Sequence, residues 1–133
     1  MNRETISAIV MTFNEEHNIC DCLETLTWAD EIIVADTGST DRTADLARRY
    51  TKRVLKLPWL GYGPTRNMAL KEAASDWFFF VDADERVSDS LREEILGMLA
   101  ARGDRFTAYR VPRQSLFVGK WIKGCGWYPG YVV

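Results

Sequence analysis

The chain has 133 residues, 47% hydrophobic and 27% charged, with a net charge of −2. That is long enough for a compact domain with a buried core, and so balanced a charge gives no general affinity for nucleic acid. Three cysteines, Cys20, Cys22 and Cys125, are too few for a disulfide framework, and Cys-x-Cys is not a zinc spacing. They read as reduced thiols of a cytoplasmic protein. His17 is the single histidine, which removes Ser-His and Cys-His catalysis unless His17 itself serves. No apolar run reaches the length of a membrane span, and Met1-Asn2-Arg3-Glu4 leading into a short strand is no signal peptide.

In chain order, Thr5 to Thr12 carries Ile6, Ala8, Ile9, Val10 and Met11 and predicts a buried strand. Asn14 is placed to cap a helix, with Glu15 and Glu16 in its first turn and Ile19, Leu23 and Leu26 on one face. His17 then falls in the first turn, solvated. Glu31 to Ala35 predicts a second strand, ending in the turn-and-cap loop Asp36-Thr37-Gly38-Ser39-Thr40-Asp41. A helix from Asp41 to Tyr50 and a short strand from Arg53 to Leu57 follow. Gly61-Tyr62-Gly63-Pro64 makes a loop, with Pro64 suited to the first position of a helix over Thr65 to Ala74.

Trp77-Phe78-Phe79-Phe80-Val81 runs straight into Asp82-Ala83-Asp84-Glu85. An apolar run of that length predicts a strand buried on both faces, with the acids at its carboxyl end. In extended backbone Asp82 and Asp84 point the same way, and two carboxylates there suit a hard cation such as Mg or Mn. Taken alone, the motif is open between a cation site and a solvated acidic turn. Ser88 or Ser90 caps a last helix with Leu91, Ile95, Met98 and Leu99 inward, closed by Gly103.

Four strand–helix alternations predict an α/β fold: a mostly parallel sheet with helices on both faces and its strand-end loops on one edge. Asn14-Glu15, Asp36 to Asp41 and Asp82 to Glu85 should gather there. Residues 1–104 form this domain. Residues 105–133 differ, with antiparallel strands expected over Thr107 to Val111 and Leu116 to Ile122. They are rich in aromatic and basic residues and hold no Asp, Glu or His. The chain stops at Tyr131-Val132-Val133 without a terminating turn, which predicts a truncated form of a longer protein. An unpaired edge there would favour a homodimer. The basic, aromatic tail would also suit peripheral contact with an anionic membrane or glycolipid surface.

Together, Thr12-Phe13-Asn14-Glu15-Glu16, Asp36 to Asp41, Gly61-Tyr62-Gly63-Pro64-Thr65-Arg66-Asn67 and Asp82-Ala83-Asp84 resemble the family 2 glycosyltransferases of the GT-A fold, over nearly all of the chain up to Asp104. Arg110-Val111-Pro112-Arg113 and Trp127-Tyr128-Pro129 resemble the subgroup that extends bacterial lipopolysaccharide cores. The resemblance implies an inverting transferase that moves a sugar, often glucose, from a nucleotide sugar, usually UDP-linked, to a glycan or glycolipid acceptor, in the cytoplasm or at the inner face of the cytoplasmic membrane. It implies that Asp36 accepts a hydrogen bond from the base and that Phe13, Asn14 and Glu15 lie along base and ribose. Arg66 would sit near the base or pyrophosphate. Asp82 would contact ribose or metal, and Asp84 would bind the metal, Mg or Mn. Glu85 and Arg86 read as structural or solvated.

The family's base is a carboxylate in the C-terminal half, and none follows Asp104. The expectation is therefore a donor-binding half whose base lies beyond residue 133. The alternative is a non-catalytic nucleotide-binding or interaction remnant. A phosphatase with Asp-x-Asp would carry it after its first strand, not its fourth, and no Gly-x-Gly-x-x-Gly follows the first strand as a dinucleotide-binding enzyme requires.

Overall fold

A computed structural model describes residues 3–101, 106–117, 120–122 and 130–133. The chain divides into two units, Met1–Arg102 and Gly103–Val133. In the first, β1 (Ile6–Thr12), β2 (Glu31–Asp36), β3 (Val54–Lys56) and β4 (Trp77–Asp82) form one parallel sheet in the order β3-β2-β1-β4. The helices are α1 (Ile19–Glu24), α2 (Thr43–Ala47), α3 (Tyr62–Leu70) and α4 (Asp89–Ala101).

Alternate strand residues feed two cores, because successive side chains leave a strand on opposite faces. Ala8, Val10, Val34 and Val81 pack with Ile19, Cys22, Leu23 and Leu26 around α1, and Ala47 of α2 and the partly buried Leu91 of α4 join them. Ile9, Ile33 and Ala35 face the other way, onto Ala69 and Leu70 of α3. Helices therefore cover both faces. Among the described residues no helix is long and apolar enough to cross a membrane.

The doubly buried strand is β1, flanked by β2 and β4, with Ile6 to Val10 all buried. β4 ends the strand order and is only half-covered, and its Phe78 is 51% exposed. An apolar run reports a strand's hydrophobicity and not its place in the sheet. The helix expected from Asn14 begins instead at Ile19. Asn14 has φ 50°, a left-handed conformation that no helix N-cap adopts. α2 is five residues long. α3 starts earlier than expected, at Tyr62, so Pro64 falls in its third position, where its missing N–H still costs nothing. Ser88 is the cap of α4: its Oγ accepts from the amide of Leu91 at 3.2 Å.

The second unit holds two antiparallel pairs. β5 (Val111–Arg113) pairs with β8 (Gly130–Val132), and β6 (Ser115–Phe117) with β7 (Lys120–Ile122). Residues 107–110, expected in a strand, lie outside these elements. Cys125, Gly103, Asp104 and Trp127-Tyr128-Pro129 are outside the described residues.

Candidate functional site

In the order β3-β2-β1-β4, the chain steps from β1 to β2 to β3 on one side, then crosses to place β4 on the other side of β1. The β1/β4 boundary is thus the topological switch point, where open α/β sheets leave a crevice at the carboxyl ends of their strands. Register brings Thr12 opposite Asp36 and Met11 opposite Asp82, so the three strands end nearly flush. A cleft of about 530 Å³ opens here, lined by Met11, Thr12, Phe13, Glu15, Thr37, Trp59, Tyr62, Asp82, Ala83 and Asp84.

Phe13, Glu15, Asp82 and Asp84 therefore share one cavity. Asp82 ends β4, but Asp84 lies in the following turn. Extended-strand alternation is consequently not what puts both carboxylates in the cleft; the turn is. Glu85 holds that turn closed. Its Oε1 accepts from the Asp82 amide at 2.8 Å, and its own amide donates to the Asp82 carbonyl at 2.9 Å. The thiol of Cys22, 3.5 Å from the same carbonyl, supports it from the core, and burial pushes that thiol up to about 12.

Arg66 reaches the site from α3. Its Nη2 stands 3.5 Å from Asp82 Oδ1 and its guanidinium lies 5.3 Å from the centre of the Phe80 ring. The cation thus orients one carboxylate of the pair. No described residue donates to the carboxylate of Asp84, which is exposed. Among the described residues no group of three or more His, Cys, Asp or Glu surrounds a common point. The protein here offers two oxygen-donor carboxylates, and ligand oxygens and water would supply the rest, a donor set that fits Mg or Mn with a phosphate substrate.

Asn14 and Asp36 hold the loops beside the cleft. The Asn14 amide donates to Ser39 Oγ at 2.8 Å, and its Oδ1 accepts from the Thr40 amide at 2.8 Å. The Glu15 amide donates to Thr43 Oγ1, and that of Glu16 to Asp41 Oδ2. This lattice ties the loop after β1 to the loop after β2. At Asp41, burial opposes ionisation, but the Thr43 hydroxyl and amide and the Glu16 amide outweigh it and lower its carboxyl below the usual value. Asp36 is 5% exposed, and its Oδ1 accepts from the amides of Gly38 at 3.0 Å and Ser39 at 2.8 Å. No described group donates to its second oxygen. His17 is solvated, in a turn ahead of α1.

Trp59 and Tyr62 also line the cleft, and no sequence motif marks them as site residues. They are 51% and 72% exposed and pack edge to face with centroids 4.9 Å apart. The available signal is their setting: Trp59 lies in the Pro/Gly loop that leaves the carboxyl end of β3, and Tyr62 opens α3 directly after it.

The family model for glycosyl transferase family 2 matches residues 7–128. The chain belongs to glycosyl transferase family 2. This family 2 chain is 37% identical over 119 residues to the lipopolysaccharide core biosynthesis glycosyltransferase LpsC of Rhizobium meliloti, covering 86% of this chain and 44% of LpsC. It thus spans less than half the length of that relative. Among solved structures it resembles TarS 1-349 of S. aureus in complex with UDP-GlcNAc, with a TM-score of 0.61 and 28% identity, covering 73% of this chain and 31% of that one. Glucosyl-3-phosphoglycerate synthase of Mycobacterium tuberculosis in complex with UDP matches with a TM-score of 0.62 and 27% identity, covering 76% of this chain and 41% of that one. The GT-A fold expected from the sequence is thereby established.

Proposed function

We propose that these 133 residues form the donor half of an inverting glycosyltransferase. The transferred sugar, glucose by subgroup resemblance, passes from a UDP-linked donor to a lipopolysaccharide-core or related glycan acceptor. One observation carries this reading: Asp82 and Asp84 enter the same cleft as Phe13 and Glu15 at the sheet's switch point. UDP and UDP-GlcNAc in the TarS and M. tuberculosis structures support the nucleotide. LpsC supports the acceptor class.

In this reading Asp84 and Asp82 hold a Mg or Mn ion, which when bound offsets the negative charge that develops on the departing diphosphate. Arg66 keeps Asp82 turned toward the cleft and adds positive charge beside the phosphates. Oδ1 of Asp36 fixes the loop, leaving its other oxygen to accept an N–H from the base. Phe13 and Glu15 flank base and ribose, and Asn14 holds that loop in place. The carboxylates lining the cleft all stand on the donor side, and residues 105–133 contain no Asp, Glu or His. We therefore assign donor binding to these residues and no acceptor-activating base. A second reading, a module that binds the nucleotide without transferring sugar, shares this donor site.

Calorimetric titration of UDP into the chain with Mn present tests the shared core of both readings. Saturable one-to-one binding is expected; no binding at millimolar UDP would overturn it. Turnover of UDP-glucose with a core-oligosaccharide acceptor then separates them.

A further inference from the structure

Arg86 is not among the residues that line the cleft, yet it ties two of its walls together. Ala83 and Val87 are buried in the core around α1. They anchor the turn after β4 at both ends and hold Asp84, Glu85 and Arg86 between them. The guanidinium of Arg86 folds back over that turn. Its Nη1 donates to the Glu85 carbonyl at 3.0 Å and to the Ala83 carbonyl at 3.4 Å, the carbonyls of the residues on either side of Asp84. Its Nη2 donates to Asn18 Oδ1 at 3.0 Å. Asn18 directly precedes α1, and its Nδ2 donates to Glu15 Oε2 at 2.8 Å. The two ends of one amide thus join the turn that carries Asp84 to the loop that carries Glu15. An exposed ion pair with Asp21 at 3.8 Å adds little. A planar fork suits this task, because its N–H groups leave in fixed directions that a lysine ammonium cannot reproduce.

We propose that Arg86 is a positioning residue for the cation site: through Asn18 it locks the Asp84 turn against the Glu15 loop, so that one unit receives both metal and nucleotide. The inference rests on the donor-site reading above. Asp84 is exposed and lies in a turn, so its carboxylate is aimed by the backbone beneath it. The Asp82 end of that turn has its own clamp in Glu85 and Cys22. Arg86 clamps the part that carries Asp84. Glu15 keeps a second hold when Arg86 is removed, because its amide donates to Thr43 Oγ1. Loss of Arg86 should therefore loosen metal binding and leave metal-free nucleotide binding in place. Groups that orient metal ligands contribute about 10- to 100-fold to metal affinity.

The test titrates UDP, with Mn and again after chelation, into the wild-type chain, Arg86→Ala, Arg86→Lys, Asn18→Ala and the double variant Asn18→Ala/Arg86→Ala. The quantity read is the gain in UDP affinity on adding Mn, taken within each chain. Arg86→Ala should lower that gain about tenfold, while its metal-free affinity stays within about threefold of wild type and so shows that the variant is folded. Arg86→Lys keeps the charge without the fork and should lose about as much. Asn18→Ala reaches the same link from the other side, so the double variant should lose no more than the larger single loss. An unchanged gain in Arg86→Ala overturns the proposal. So does an equal loss with and without Mn, which would make Arg86 a residue of the fold alone. Full rescue by Lys, or additive losses in the double variant, would equally overturn the link through Asn18. A wild-type chain whose UDP affinity does not respond to Mn refutes the cation-site reading and this proposal with it, a result distinct from all of these.

Discussion

Asp36 is expected to do two separable jobs with its two oxygens, and substitutions can divide them. Oδ1 accepts from the Gly38 and Ser39 amides, and the residue is 5% exposed. Hydrogen bonds to a charged group contribute about 1.5–3 kcal/mol each. Gly38 and Ser39 are only partly buried, so water recovers part of the loss and the low end applies. Two bonds then give about 3 kcal/mol for Asp36→Ala. With a urea m-value of about 1.5 kcal/mol/M, the unfolding midpoint falls by about 2 M. Asp36→Asn keeps a carbonyl oxygen facing both amides and should cost about 1 kcal/mol. Its NH₂ then replaces the second oxygen and presents a donor to the base's N–H. UDP affinity should drop about tenfold, the loss of a good hydrogen bond plus an unpaired donor. Urea unfolding followed by circular dichroism, with calorimetry of UDP binding, reads both. If Asp36→Ala costs less than about 1 kcal/mol, the loop-holding role is wrong. If Asp36→Asn is stable and binds UDP like wild type, the base-binding role is wrong.

Gly38 sits at φ +111° with nothing within 4 Å of where a Cβ would stand. Gly38→Ala should therefore cost about 1–2 kcal/mol through backbone strain alone, measured as a shifted urea midpoint. Glu31 gives a pH prediction. Burial opposes its ionisation, but hydrogen bonds from the Ser7 hydroxyl, the Ala74 amide and Arg53 prevail and hold its carboxyl below the ordinary 4.5. A depressed carboxylate binds protons more readily in the unfolded chain, so its contribution is fully present above about pH 4.5 and is lost as pH falls through the folded value. Glu31→Gln should flatten the fall in stability below that pH, measured by thermal unfolding across an acid series.

Much of the fold was legible because β1, β2 and the β4 run are short apolar stretches bounded by polar turns, and local hydrophobicity is a sequence property. The sheet order is not a local property, and the apolar run alone cannot show that β4 lies at the edge with Phe78 half-covered. Asn14 shows a second limit. Its sequence setting, an Asn before two Glu, favours a helix cap, yet hydrogen bonds to Ser39 and Thr40 decide its conformation. Those partners lie 25 and 26 residues away, beyond the reach of any local pattern. For Asp82 and Asp84 the strand-end position was readable, while the turn that aims Asp84 depends on Glu85 closing on Asp82. Trp59 and Tyr62 leave no periodic signal, because an aromatic in a loop or at a helix start belongs to a site only once the topology brings it there.

The central claim is that Asp82 and Asp84 join a cation to the nucleotide's phosphates. It is tested most directly by titrating UDP into the wild-type chain and into Asp84→Ala, each with Mn and again after chelation. Metal-dependent UDP affinity in the wild-type chain, abolished in Asp84→Ala while its metal-free affinity and thermal stability stay the same, is the predicted result. Equal dependence on Mn in both chains would contradict it.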